Sequence, residues 1–264
     1  MDFLLEEHQL SVRQACKAID IPRSTYEYNP VAKNDQEVIL ALGSLIDSRP
    51  GIGFWQSYSR LRKQGHPWNH KKVYRVYTQM QLNIRRRAKK RLPARVKQAL
   101  FQPERINQVW SIDYMSDSLW DGRKFRILNI MDDYNREILA IEVDTSLPAL
   151  RVIRVLENLK MTRGVPEMIR VDNGPEFMSE KFDYWCKENK VKLVFIQPGK
   201  PTQNAYIERF NGNIRRELLN AYVFRTLGEV RQMAEEYKYD YNHDRPHNAL
   251  NNKTPMEVLM EISP

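Results

Sequence analysis

Three carboxylates stand where their surroundings make them conspicuous. Asp113 lies inside WSIDYM, an apolar run that reads as a strand, and strands disfavour Asp. Asp172 ends the short strand EMIRV and is followed by Asn173 and Gly174, a pair that turns a chain sharply. Glu208 falls in the first turn of a helix spelled by AYIERFNGNIRRELLN. Hard divalent cations take oxygen ligands, so three such groups drawn together would suit them. Each acid also has an ordinary explanation. Asp113 would keep an edge strand soluble, Asp172 would form a turn, and Glu208 would complement a helix N-terminus. The elements that carry them must decide.

Those elements are legible from residue 108 onward. QVWSIDYMSD, KFRILNIMDDY and REILAIEVD read as strands, the last two joined by DDYNRE. PALRVIRVLENLK reads as a helix with Val152, Val155, Leu156 and Leu159 on one face. A strand (EMIRVDNG), a helix (KFDYWCKEN), a strand (KLVFIQPG), a loop (PGKPTQN) and a helix follow. The order β-β-β-α-β-α-β-α suits an antiparallel meander followed by parallel neighbours. It is the element order of an α/β, RNase H-like fold: a mixed five-stranded sheet with flanking helices. That fold brings Asp113, Asp172 and Glu208 to one edge of the sheet.

The positive charge lies elsewhere. The 264-residue chain carries a formal net charge of +9. Residues 1–100 hold a net +11 and residues 101–264 a net −2. The run RRRAKKRLPARVK at 85–97 has eight basic residues and no acid, which suits phosphate better than an anionic membrane, since no apolar face accompanies it. Upstream, SVRQACKAI places Val12, Ala15, Cys16 and Ile19 on one helical stripe. Ile21 and Pro22 end that helix, and Ser24 or Thr25 would cap a second, as in a helix-turn-helix. Helices are expected over 36–47, 55–64 and 70–80, the last capped by Asn69 with Val73, Val76, Tyr77 and Met80 buried. These form an all-α region ahead of the sheet.

Other features point to bland roles. His66 and His70 are separated by Pro67 and accompanied by no CxxC, which argues against zinc. Cys16 and Cys186 are read as buried thiols of a reduced, cytoplasmic protein. No apolar run approaches the roughly 20 residues of a membrane span. Asp132 and Asp133 read as turn residues, Asp117 and Asp144 as loop or strand-end residues, and Glu176 as a weak candidate for positioning substrate. YKYDYNHDRPH at 237–247 fits base stacking, or better a C-terminal helix closing the core.

RVDNGPEF and AYIERFNGNIRRE at their spacing, with WSIDYM upstream, resemble the DDE core of retroviral-integrase-like transposases. Within that group the chain is most similar to bacterial insertion-sequence transposases made from the second of two overlapping reading frames (OrfB type). SVRQACKAIDIPRSTYEY, the segment 51–82 and YNHDRPHNALNNKTPMEVL share the likeness, although GFWQSY stands where a Gly-Tyr-Arg run is common. The resemblance implies a DDE polynucleotidyl transferase that cleaves phosphodiesters at element ends and joins the 3′-OH to target DNA. A non-catalytic DNA-binding regulator and an RNase H-fold nuclease that only hydrolyses are the alternatives. It implies Asp113, Asp172 and Glu208 as catalytic metal ligands, with Asp113 bridging two Mg²⁺ ions about 4 Å apart. Mn²⁺ would be a substitute. Arg215, two helical turns past Glu208, would contact DNA, as would Arg85, Arg86, Arg87, Lys89, Lys90 and Arg91. The implied organisation is a helix-turn-helix-like segment (1–30), a second helical DNA-binding unit (34–84), a basic linker (85–100), the catalytic core (101–225) and a C-terminal helical extension (226–264). The implied partners are element terminal repeats, target DNA, further copies of the chain and the upstream-frame (OrfA) product. The protein would be cytoplasmic and nucleoid-associated when bound.

Overall fold

A computed structural model describes residues 2–29, 34–84, 101–196 and 204–262. The basic run expected to bind DNA, Arg85 to Arg91, and the loop 197–203 lie outside the described residues. Five strands form one sheet: β1 (Val109–Ser118), β2 (Lys124–Asp132), β3 (Ile138–Asp144), β4 (Met168–Val171) and β5 (Lys192–Phe195), in the order β3-β2-β1-β4-β5. The first three pair antiparallel, while β4 joins β1 and β5 joins β4 in parallel. β1 is therefore the central strand, and Asp113 is no edge residue.

Both faces of the sheet are covered, which is why β2 is buried almost from end to end. On one face, Trp110, Ile112, Leu128 and Ile130 pack against α7 (Ala149–Arg163) and α8 (Glu180–Glu188). On the other, Met115, Phe125, Ile127 and Met131 pack against α9 (Ala205–Ile214) and α10 (Leu227–Tyr239). The period-2 alternation of each strand assigns these residues to their faces. The helix expected to run through residue 220 instead changes winding, and a π-helical turn, Arg215–Leu219, follows α9. It turns Glu217 into the interior, where Arg245 meets it. The segment 237–247 closes the core: Tyr237 and Tyr241 pack on Phe210, at ring-centroid distances of 6.1 and 4.9 Å.

Contacts divide the chain into two compact units, Met1–Glu37 and Val38–Pro264. In the first, α1 is Asp2–Glu6, α2 is Val12–Ala18 and α3 is Arg23–Tyr26. Ser11 and Gln14 cap α2 reciprocally. Ala15 and Cys16 are buried, but Ile19 is 41 % exposed, so the apolar stripe is only half used. Ser24 and Thr25 do not cap the next helix. Pro22 holds that position, its fixed φ suiting a helix entry, and both residues lie within the single turn of α3.

In the second unit, α4 (Gln36–Ser48), α5 (Phe54–Lys63) and α6 (His70–Gln79) share a small core that includes Val38, Leu42, Leu61, Val73, Val76 and Tyr77. Asn69 caps α6 as expected. This helical group is tied to the far end of the chain. The buried Arg60 grips both oxygens of Asp240 at 3.0 and 2.6 Å, and Arg49 Nε reaches the same carboxylate at 2.6 Å. Lys63 pairs with Glu257 in α11 (Pro255–Ile262) at 2.8 Å. No described helix is long and apolar enough to cross a membrane.

Burial raises the Asp240 carboxyl pKa, but Arg60 and Arg49 outweigh it and hold it below the usual 3.8. The clamp is thus at full strength above pH 3.8 and is lost as pH falls through the lower folded value. Asp240→Asn strands Arg60 without its counter-ion. It should cost about 3 kcal/mol at pH 7 in urea unfolding and flatten the acid limb of the stability profile.

Candidate active site

The parallel pairing of β1 with β4 aligns Val109 with Met168, Trp110 with Ile169 and Ser111 with Arg170. Two residues further along both strands stand Asp113 and Asp172. α9 packs across β1 on the face to which Asp113 points. There Asn211 Nδ2 donates to Asp113 Oδ2 at 2.7 Å, and Asn211 Oδ1 accepts from Asn129 Nδ2 at 2.7 Å. Asn129 is the cross-strand neighbour of Asp113 on β2. The other oxygen, Oδ1, accepts from the backbone N–H of Tyr114 at 2.9 Å. Asp113 is thereby fixed from β1, β2 and α9 together. Glu208, three residues before Asn211, shares its helix face.

Asp172 is held by its own turn. Its Oδ1 accepts from Gly174 N–H at 3.0 Å. A Cβ on Gly174 would lie 2.9 Å from that oxygen and 3.3 Å from Glu176 Oε2, so a larger residue there would displace the two carboxylates. The turn reading of Asn173 and Gly174 and the acid reading of Asp172 are one arrangement.

Electrostatics separates these three acids from their neighbours. Asp133 pairs with Arg170 at 2.7 Å, Glu176 with Arg126, Glu217 with Arg245, and Asp240 with Arg60. Asp113, Asp172 and Glu208 have no ion-pair partner among the described residues. Burial, followed by the charges of Asp172 and Glu208, pushes the Asp113 carboxyl up to about 6, against the Tyr114 and Asn211 hydrogen bonds. Burial raises Glu208 as well. Among the described residues, no three His, Cys, Asp or Glu side chains stand close enough together to hold a metal ion as they are placed. Glu208 is exposed, and the set stays open on its side.

The remaining expected residues have different surroundings. Arg215 donates to Asp117 Oδ2 and to the Ser116 carbonyl, each at 2.7 Å, so part of its donor fork is engaged within the chain. Glu176 is held by Arg126, whose guanidinium lies 4.2 Å above the Tyr114 ring. Asp132 and Asp133 do sit at a turn, but they are fully buried. Asp132 accepts from the Asn107 and Tyr134 N–H groups, and Asp133 anchors Arg170, two residues before Asp172. The residues that position the site, Asn129 and Asn211, were not expected. A polar Asn inside the apolar KFRILNIMD, and another three residues after Glu208, are the signals that mark them.

Two domain profiles, each described as an integrase core domain, match residues 103–201 and 189–255. The insertion element IS407 uncharacterized 31.7 kDa protein of Burkholderia multivorans is 39 % identical over 97 % of this chain and 93 % of its own length. The chain belongs to the insertion-sequence transposases with an integrase-type core. The insertion element IS476 uncharacterized 39.2 kDa protein of Xanthomonas euvesicatoria is 34 % identical, over 96 % of this chain and 74 % of that one. The putative transposase InsK of element IS150 from Escherichia coli is 24 % identical, over 91 % and 90 %. Among solved structures, a chain of the simian T-cell lymphotropic virus intasome superposes with a TM-score of 0.55 at 16 % identity, over 84 % of this chain and 75 % of that one. That likeness agrees with the RNase H-like sheet. The activity is therefore of the transposase, polynucleotidyl-transferase class, acting on DNA.

Because the folded Asp113 titrates near 6 rather than 3.8, the unfolded state ionises first as pH rises. Folded stability then declines between those values and stays lower above them. Without divalent cation at pH 7.5, Asp113→Asn should therefore be more stable than the parent, by on the order of 2 kcal/mol. Parallel urea titrations at pH 4 and 7.5 check this. An Asp113→Asn variant no more stable than the parent at pH 7.5 would contradict the raised carboxyl described above, which burial chiefly causes.

Proposed function

We propose that Asp113, Asp172 and Glu208 are the catalytic acids of a DDE transposase that frees a 3′-OH at element ends and joins it to target DNA. One observation supports this most: among the described residues these carboxylates have no arginine partner, whereas Asp133, Glu176, Glu217 and Asp240 each have one. Asp113 feels the charges of Asp172 and Glu208 with no counter-charge among the described residues. Carboxylates in that state would suit hard divalent cations once drawn together on them, and an all-oxygen donor set favours Mg²⁺, with Mn²⁺ as substitute. Two such ions, when bound, would activate the attacking oxygen and stabilise the leaving 3′ oxygen.

The chain's own groups do the rest. Asn211 and the Tyr114 N–H hold Asp113 in one orientation, in which it would serve as a ligand to such an ion. The Gly174 N–H fixes one oxygen of Asp172 and leaves the other free. Glu208 is exposed on the side where DNA would arrive. The basic excess of residues 1–100 would hold phosphates while the acids remain on the sheet. Several copies acting together on the element ends, and an upstream-frame product aiding end recognition, belong to the same reading. The structural neighbour from an intasome agrees with such an assembly.

Strand transfer tests the reading. With Mg²⁺, an element end bearing a ready 3′-OH and a labelled target, the chain should yield joined product, and Asp172→Asn should lower it at least a hundredfold, roughly the loss of one charge-stabilising group. Released fragments without joining would indicate a hydrolysing nuclease. Unchanged behaviour of Asp172→Asn would indicate a DNA-binding regulator.

Affinity for DNA should also fall steeply with salt, by orders of magnitude between about 50 and 200 mM if several phosphates are contacted. Filter binding across that range reads the slope. A flat response would remove the phosphate-binding role from the basic region.

A further inference from the structure

α9 has a second face. Glu208 and Asn211 share one side of α9, whereas Tyr206, Arg209 and Asn213, with Arg216 from the π-helical turn that follows, line a groove of about 990 Å³ between α9 and the α5–α6 pair. Both sets recur at helical spacings of three and four, so one helix separates acids from groove. Trp55 and Tyr74 stand on the opposite wall, 60 % and 51 % exposed.

The lining is one-sided in charge. Arg136, Arg209, Arg216 and Arg245 contribute to it, and no described lining residue is a carboxylate. Arg245 and Arg216 are partly neutralised by Glu217 behind them. Arg209 is exposed and has no carboxylate partner among the described residues. Burial, then the charge of Arg245, pushes His247 down to about 3, so the imidazole is neutral and the arginines set the sign.

Two lining residues also carry unmet hydrogen-bonding capacity. Among the described residues the buried Tyr77 hydroxyl has no partner, nor has Gln56 Oε1, although Gln56 Nε2 donates to the Pro246 carbonyl at 2.8 Å. A protein interior rarely leaves such groups unpaired. The chain continues from Ile84 on the groove's rim into the run 85–97, but that run bears the same charge as the groove and does not complement it.

We propose that the groove binds a single-stranded segment of DNA, with bases stacked on Trp55 and Tyr74 and a phosphate on Arg209. Aromatic faces with arginines bind unpaired strands regardless of sequence. The polar edges of a base would meet Tyr77 and Gln56. Since α9 is about 10 Å across, a strand leaving the acids reaches the groove within a few nucleotides. The inference rests on the DNA-acting reading above and adds to it that the strand near the cut is held unpaired.

The probe is a short duplex with a 3′ tail of deoxythymidines, the terminal base replaced by 5-iodouracil, compared with the same duplex left blunt. The parent protein should bind the tailed form about tenfold more tightly, and ultraviolet crosslinks should map to Trp55 or Tyr74. Arg209→Ala and Trp55→Ala should each lose that advantage while keeping their affinity for blunt duplex. Both side chains are exposed, and thermal unfolding verifies that the variants fold. Equal binding of the two probes by the parent, an advantage kept by both variants, or crosslinks confined to other surfaces would overturn the proposal. Asp172→Asn should retain the tail advantage. If it also still joined strands, the catalytic reading would fall and the groove would stand.

Discussion

Parallel pairing of β1 with β4 forces Asp113 and Asp172 side by side, and like charges so placed repel. The surrounding architecture withstands that repulsion. β4 is pinned at Arg170 by the buried carboxylate of Asp133. Asp113 is restrained through Asn211 by Asn129, two neutral amides that orient it without cancelling its charge. Asp172 is restrained by the Gly174 N–H, and the absence of a Cβ on that glycine leaves the carboxylate its place. Among the described residues, arginines pair with Asp133, Glu176 and Asp117 and not with Asp113, Asp172 or Glu208.

Much of this was legible in the sequence because it rests on local pattern. Apolar alternation in WSIDYM and KFRILNIMD, and the 3.6-residue stripe of Val152, Val155 and Leu156, define the strands and a flanking helix directly. The three acids stood out because each violates the preference of its own element or begins a helix. What could not be read was pairing at long range. Asp132 and Asp133 have the composition of a turn, and only the tertiary fold reveals that they are buried against Arg170 and the Asn107 and Tyr134 amides. Asn129 and Asn211 are 82 residues apart, and nothing local links them. The π-helical turn after α9 carries Glu217, whose partner Arg245 lies 28 residues later. The capping of α3 was misjudged for a simpler reason: Ser and Thr are strong capping residues, but the adjacent Pro22 already supplied the entry geometry.

The two faces of α9 give one short helix two tasks. Residues at 208 and 211 belong to the sheet edge, and those at 206, 209 and 213 belong to the wall of the groove. The helix can serve both because its apolar positions, Ile207, Phe210 and Ile214, are enough to seat it on the sheet. Polar residues on either flank remain free for other purposes.

The clamp on Asp240 has a consequence in time. Arg60 and Arg49 wait for a partner 180 and 191 positions later in the chain. At a synthesis rate of about 5–20 residues per second, α4 and α5 leave the ribosome roughly ten seconds or more before the carboxylate that fixes them. The opposite wall of the groove, on α9, is likewise a late product. A nascent chain that has not yet reached Asp240 therefore holds α4 and α5 without the carboxylate that fixes them.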